Sequence, residues 1–287
     1  MPARTLTRSA VTDVTIKALK DIESLRRIET LQMEIWGMPE RDVVPSHQLL
    51  AAAGAGGAVL AAYEPDGTMI GFCYGFAGWR AGRPLFYSHM AGVTAGRQLQ
   101  AIGFRLKCAQ REAALALGYD HALWTFDPLQ SVNARFNLRK LGATARRYYV
   151  DYYGAMPDEL NRDLESDRLE VDWALRSPRV QTAVAGTPQA RAWDPAPRAL
   201  EALPGASGVG PADPVLNLDA PVIFVEIPTD FAALRQRDPG LTRAWRLASR
   251  EAFLHYFAEG YQAVDFVLRP GARLRGDYVL VRGPDDG

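Results

Sequence analysis

The spacing of apolar residues divides the chain into segments. In "DIESLRRIETLQMEIWG" the positions Ile22, Leu25, Ile28, Leu31 and Ile35 fall on one helical face, and Asp21 stands where an N-cap belongs. A short strand within 11–20 precedes this helix, and "VPSHQLLAAAG" predicts a second, shorter one. "GAVLAAYEPDGTMIGFCYGF" predicts a hairpin about a Pro-Asp-Gly turn, and "RPLFYSHMAGV" a further strand. Residues 97–128, "RQLQAIGFRLKCAQREAALALGYDHALWTFDP", give an amphipathic helix, a Gly-Tyr stop and an apolar strand. "SVNARFNLRKLGATARRYYVDYYG" adds a helix stopped at Gly142 and an aromatic-rich strand. Runs joined by short turns pair antiparallel, and the central helix acts as a crossover, so the pattern predicts a mixed sheet of the α+β class.

Periodicity fades at residues 178–221, where eight of the nineteen prolines fall among Ala and Gly. We read residues 178–220 as a linker or long surface excursion. Order returns with the strand "PVIFVEIP", a helix near 239–258, and the strands "YQAVDFVL" and "DYVLV". The expected organisation is a first domain over 1–177, the linker, and a strand-helix-strand segment over 221–287. "REAALALGYDHALWTFDP" and "REAFLHYFAEGYQAVDFVLRP" echo one another, so this last segment can be read as a partial repeat. It buries too little apolar surface to stand alone, so it must dock on the first domain, its own or that of a second copy in a homodimer. There it would help enclose a pocket, with Arg243, Arg246 and Arg250 as candidates to hold a carboxylate, or simply as a solvated helix face.

Charge then narrows the partners. Lys plus Arg and Asp plus Glu number 33 each, so no global field draws the chain to nucleic acid or an acidic membrane. No apolar run approaches the ~20 residues of a membrane span, and no secretory signal is evident at the N-terminus, so we expect a cytoplasmic protein. Cys73 and Cys108 lie far apart in apolar contexts and have no zinc-ligand spacing; no metal is expected.

The helix that opens after Arg97 is unusual. Its first turn holds Gln98, Ala101 and Gly103 and no carboxylate, although helix starts attract Asp and Glu. Small residues and unanswered N–H groups suit an external anion. The run Gln98-Leu99-Gln100-Ala101-Ile102-Gly103, entered from a strand ending at Val93, resembles the pyrophosphate turn of the GNAT superfamily of acyl-CoA-dependent acyltransferases, with Ala101 at the first glycine. "SVNARFNLRKLG" is similar to that family's second motif at Ala134 and Gly142. The resemblance covers about residues 10–155. It implies a GNAT-like fold and an acyl-CoA co-substrate, acetyl-CoA or succinyl-CoA, contacted by Val93, Gln98, Leu99, Gln100, Ala101, Ile102, Gly103, Phe104, Ser131 and Asn133.

The resemblance also implies direct attack of an amine on the thioester, with a base removing the ammonium proton and strand N–H groups near Val93 holding the oxyanion. His89, four residues before Val93 and so on the same face of a regular strand, is a candidate base; Asp127 is another. The sequence departs from the family at Ser131, where Asn is common, and at Leu138, where a Tyr often protonates the leaving thiolate. Tyr148, Tyr149, Tyr152 and Tyr153 follow, without a placement for any hydroxyl. Phrases such as "YSHM" and "WTFDPLQS" resemble a branch associated with N-acylamino-acid racemases, which implies N-acylation of amino acids. Three readings stay open: an N-acyltransferase for a small amine, a silent acyl-CoA sensor, and a protein or peptide N-acetyltransferase.

Overall fold

A computed structural model describes residues 14–97, 101–154, 164–186, 192–205, 208–271 and 274–283. The chain forms two compact units, residues 1–118 and 119–287. The class is mixed α/β, with mostly antiparallel strands.

The first unit runs β1 (Thr15–Ala18), α1 (Ile22–Trp36), a 3-10 turn (Glu40–Asp42), α2 (Ser46–Gly54), β2 (Ala58–Tyr63), β3 (Met69–Arg80), β4 (Arg83–Val93) and α3 (Ile102–Ala116). Its strands pair antiparallel in chain order. Asp21 caps α1 by accepting from Ser24 N at 2.8 Å, and Gly37 closes it at φ 66°. Leu25, Ile28 and Leu31 are fully buried with Leu49 of α2 against Phe72 and Tyr74 of β3. The alternating side chain, Cys73, belongs to the other face, where Ile102 and Leu106 of α3 meet Leu60, Ile70 and Val93. Each such Leu or Ile contributes about 1.5–3 kcal/mol on burial. Helices α1 and α2 therefore cover one face of this sheet and α3 covers the other.

The second unit runs β5 (His121–Phe126), α4 (Ser131–Ala134) continuing into a π-helical turn (Arg135–Lys140), β6 (Thr144–Tyr149), β7 (Arg168–Ala174), α5 (Pro178–Val184), β8 (Arg198–Leu200), β9 (Ala202–Gly205), β10 (Gly208–Pro211), β11 (Val222–Ile227), α6 (Phe231–Arg237), α7 (Pro239–Ala258), β12 (Tyr261–Arg269) and β13 (Arg275–Arg282). Its sheet has the order β5-β7-β6-β12-β13-β11-β8, antiparallel except for β8 on β11, with β9 and β10 a separate hairpin. Strand β7 was not foreseen. Leu169, Val171 and Trp173 alternate along it, but Arg168 and Glu170 are buried too, so the polar positions do not mark a wet face.

The segment 178–220, expected as a linker, carries α5, β8 and the β9–β10 hairpin among its described residues. Pro178 occupies the first turn of α5, where its missing N–H costs nothing, and Ser177 caps that helix. Ala199 and Leu200 are fully buried. The prolines punctuate short elements here.

The last segment docks in cis on residues 119–177. Strand β12 pairs with β6 through Ala263 and Ala145, and Phe253 of α7 stacks on Tyr148 at 5.8 Å between centroids. Two ion pairs reinforce this packing. Arg246 grips Asp127 with both terminal nitrogens at 2.8 and 3.0 Å, and Arg250 grips Asp167 at 2.8 and 3.0 Å. Arg246 is 1% exposed and Asp167 fully buried, so the solvated helix face foreseen for Arg246 and Arg250 is corrected, whereas Arg243 is exposed, as foreseen, with Glu165 at 3.3 Å. Helical spacing alone cannot tell a buried, paired arginine from an exposed one.

Candidate functional site

The entry to α3 is the candidate anion site. Strand β4 ends at Val93, and Thr94 turns the chain by donating its N–H to Ile70 O at 2.9 Å. Gly96 at φ 81° continues the turn, and Arg97, paired to Glu64 at 2.8 Å, closes it. Gln98, Leu99 and Gln100 lie outside the described residues. Ala101 follows at φ 57°, in the left-handed region, where a Cβ is strained by roughly 1–2 kcal/mol and glycine is not. That conformation accounts physically for a preferred glycine here. Among the described residues no side chain caps α3, and its first turn holds no carboxylate. The N–H groups of Ile102, Gly103 and Phe104 therefore have no acceptor within their own helix. A Cβ built on Gly103 would meet nothing within 4 Å, so the backbone is open to close approach. These features fit a diphosphate.

Helix α7 offers a contrast. It belongs to the segment that echoes α3, but Asp238 caps it by accepting from Leu241 N at 2.9 Å. That carboxylate takes the place an anion would need. The echo does not extend to a second phosphate site.

Strand β4 carries His89, and here a regular strand was the wrong expectation. Met90 pairs with Tyr74 and Ser88 with Gly75, which leaves His89 as the extra residue of a β-bulge. The bulge reverses side-chain alternation. Val93 packs with α3, whereas the His89 ring lies 5.8 Å from both Tyr74 and Phe76, rings of the face covered by α1 and α2. His89 and Val93 thus do not share a face. Its ring keeps an open side to solvent, but Tyr74, Phe76 and Tyr87 wall the remainder. Desolvation lowers its pKa below the usual histidine value, which favours the neutral, proton-accepting ring.

Asp127 fares less well as a base. Besides Arg246, it accepts from Leu129 N at 2.9 Å. Its oxygens are thus taken up by a bidentate guanidinium and an amide. Arg246, for its part, is held charged with a pKa well above its usual value, the Asp127 carboxylate outweighing burial. Its guanidinium therefore serves Asp127 rather than an acceptor carboxylate, which corrects that expectation.

The remaining candidates are placed as follows. Ser131 is buried, and its hydroxyl donates to Thr229 O at 2.7 Å, so it is spent inside the second unit; Asn133 is exposed. Leu138 is fully buried. Tyr148 donates to Asp167 at 2.6 Å, and burial followed by the Asp167 charge holds its proton on well above the usual pH. Tyr149 donates to Glu170 at 3.0 Å, and Tyr153 lies 3.3 Å from Thr125 Oγ1. The hydroxyls of Tyr148 and Tyr149 are thus engaged by carboxylates, and Tyr152 is exposed. Among the described residues no group of three or more His, Cys, Asp or Glu could hold a metal ion, and no helix is long and apolar enough to cross a membrane.

Sequence reasoning missed one polar group near the bulge. Lys107 of α3 is 3% exposed and donates to Ser88 Oγ at 2.8 Å and Gln110 Oε1 at 2.9 Å; Ser88 donates to the same Gln110 oxygen at 2.7 Å. Lys107 follows Leu106 on the apolar face of α3, and only its solitary charge there was available as a signal.

No family model matches the chain, and no curated protein matches it. Solved structures do resemble it. A protein assigned to the GNAT family from Desulfovibrio desulfuricans aligns at 15% identity and a TM-score of 0.45, over 56% of this chain and 99% of its own. The IAA acetyltransferase of Bacillus cereus aligns at 15% identity and 0.42, over 56% and 98%. Ard1 of Thermoplasma volcanium aligns at 16% identity and 0.40, over 55% and 95%.

Proposed function

We propose that the protein is an acyl-CoA-dependent N-acyltransferase that transfers an acetyl or succinyl group to the amine of a small molecule such as an amino acid. The observation that carries this reading is the entry to α3: a left-handed residue, a first turn without carboxylate and without a capping side chain among the described residues, and open space over Gly103. Such a turn holds a diphosphate by backbone N–H groups and helix polarity. On this reading the acceptor amine attacks the thioester carbonyl directly, the ammonium proton passes to His89, and the thiolate departs. Thiolates are weak enough bases to leave without an acid, so a buried Leu138 does not forbid turnover. A second reading, a sensor that binds acyl-CoA without turning it over, draws on the same Leu138 and on the occupied tyrosine hydroxyls.

Two experiments test the reading. Titration with acetyl-CoA and succinyl-CoA is expected to give binding that Gly103→Asp abolishes in a folded protein. The Cβ has room, and a carboxylate there would face the diphosphate; at a separation of about 4 Å such a repulsion is on the order of a few kcal/mol. Unchanged affinity in the folded variant would remove this site. Release of free thiol with an amine panel then separates enzyme from sensor. In that assay His89→Gln is expected to lower turnover about 100-fold or more with CoA affinity nearly unchanged. A loss under about threefold would give the proton to water or to the neutral fraction of the acceptor.

A further inference from the structure

The second unit holds an open cleft of about 850 Å³ that none of the proposed chemistry uses. That volume is ordinary for small-ligand sites, which run to roughly 300–1,000 Å³. Its floor is one face of the sheet. Thr144 of β6 lies opposite Asp172 of β7, and Ala174 is two residues further along the same face. Arg146 is a bulge residue: Ala145 pairs with Val171 and Arg147 with Glu170, leaving Arg146 without a β7 partner and re-aimed. The intervening residues Ala145, Val171 and Trp173 are fully buried on the opposite face. A polar face of a central sheet thus stands open to solvent. Roughly 17 Å of strand separates Asp172 from Asp167, at the end of β7 where Arg250 and Tyr148 sit.

Its charges are disposed in a particular way. Arg146 is exposed, and its guanidinium has no hydrogen-bond or ion-pair partner among the described residues. Asp172 accepts from His121 Nδ1 at 2.7 Å through one oxygen and stays one-third exposed. The end of α7 reaches the rim at Phe257 and Gly260. Phe257, Pro178 and Ala174 supply an apolar wall. Arg179 also lines the cleft, but its guanidinium donates to Gly142 O at 2.9 Å and to Val264 O, so Arg146 is the lining cation without a partner among the described residues; with Asp172 and the apolar wall it suits a zwitterion.

We propose that this cleft binds a zwitterionic α-amino acid with an apolar or aromatic side chain, its carboxylate on Arg146, its ammonium at Asp172 and its side chain against Phe257. Both charges are needed. If the acyltransfer reading also holds, the cleft senses free amino acid and ignores the N-acyl product, because acylation removes the ammonium.

Calorimetric titration of the full chain with L-phenylalanine tests this. Matched probes are 3-phenylpropanoate, which lacks the amine, 2-phenylethylamine, which lacks the carboxylate, and N-acetyl-L-phenylalanine. Saturable binding of phenylalanine is expected, at least about tenfold weaker for each probe and at least about tenfold weaker in Arg146→Ala and Asp172→Asn. Both variants are expected to keep the wild-type melting temperature and CoA affinity, since both side chains reach solvent. Arg146→Lys is expected to recover part of the binding. No binding of phenylalanine, equal binding of 3-phenylpropanoate, or undiminished binding in folded Arg146→Ala would each overturn the proposal. Phenylalanine titration of Gly103→Asp keeps the two readings apart, because loss of CoA there leaves this cleft intact.

Discussion

A chain ended after residue 178 is expected to be recovered unfolded or insoluble, not as a smaller working enzyme. Truncation removes β12 from β6, so a central strand becomes an edge with open N–H and C=O groups. It also strips α7 from the apolar surface around Tyr148, which Phe253 and Tyr278 help to bury. A graded version isolates the charges. In Arg246→Met the fold is kept but Asp127 loses both guanidinium bonds while staying almost buried, with an 11% exposed side chain. Removing one partner of a buried pair costs about 3–5 kcal/mol, chiefly the penalty of the stranded charge. Urea unfolding should show that loss, and Asp127→Asn combined with Arg246→Met should recover part of it. A soluble, CoA-binding 1–178 fragment would mean the last segment is an appendage. An Arg246→Met protein of wild-type stability would mean Asp127 reaches water without help.

What could be read from the sequence follows from which forces leave a linear trace. Helix α1 was legible because its apolar repeat and its Asp21 cap agree. The entry to α3 was legible as an absence, a first turn without its usual carboxylate. Other features left no trace. A bulge adds one residue without changing composition, so the face of His89 could not be counted from Val93. Strand β7 was hidden because its charged positions are buried with partners, Glu170 with Tyr149 and Arg147 and Arg168 with Asp167 O and the Tyr153 ring, and pairing leaves no mark within the strand's own sequence. Arg246 and Arg250 look solvated in sequence because their carboxylates come from residues more than eighty positions away. The proline-rich stretch was read from composition, whereas Pro178 marks a helix start.

The same reasoning makes Lys107 the most informative single residue for stability. Its ammonium sits in the core of the first unit, where burial pulls its pKa from 10.5 down to about 7; the Cys73 thiol beneath it opposes that shift only slightly. The sign follows from the two states. Between pH 7 and 10.5 the unfolded chain binds a proton at this lysine that the folded chain has released, so stability rises with pH across that window. Below about pH 7 both states carry the proton and the penalty is complete; above 10.5 neither does and it vanishes. At 1.36 kcal/mol per pKa unit the full penalty is on the order of 3–5 kcal/mol. Lys107→Met keeps the stem volume and the Ser88–Gln110 bond while losing the two Lys107 bonds, each with a net contribution of about 1 kcal/mol. The variant is therefore expected to be more stable than wild type at neutral pH by about 1–3 kcal/mol, with the advantage shrinking as pH rises and reversing at about pH 9. Urea unfolding of both proteins from pH 6 to 10 checks this, because other titrating groups are common to the pair and cancel in the difference. Parallel stability curves would mean that Lys107 stays charged in the folded core, held by its hydrogen bonds to Ser88 and Gln110.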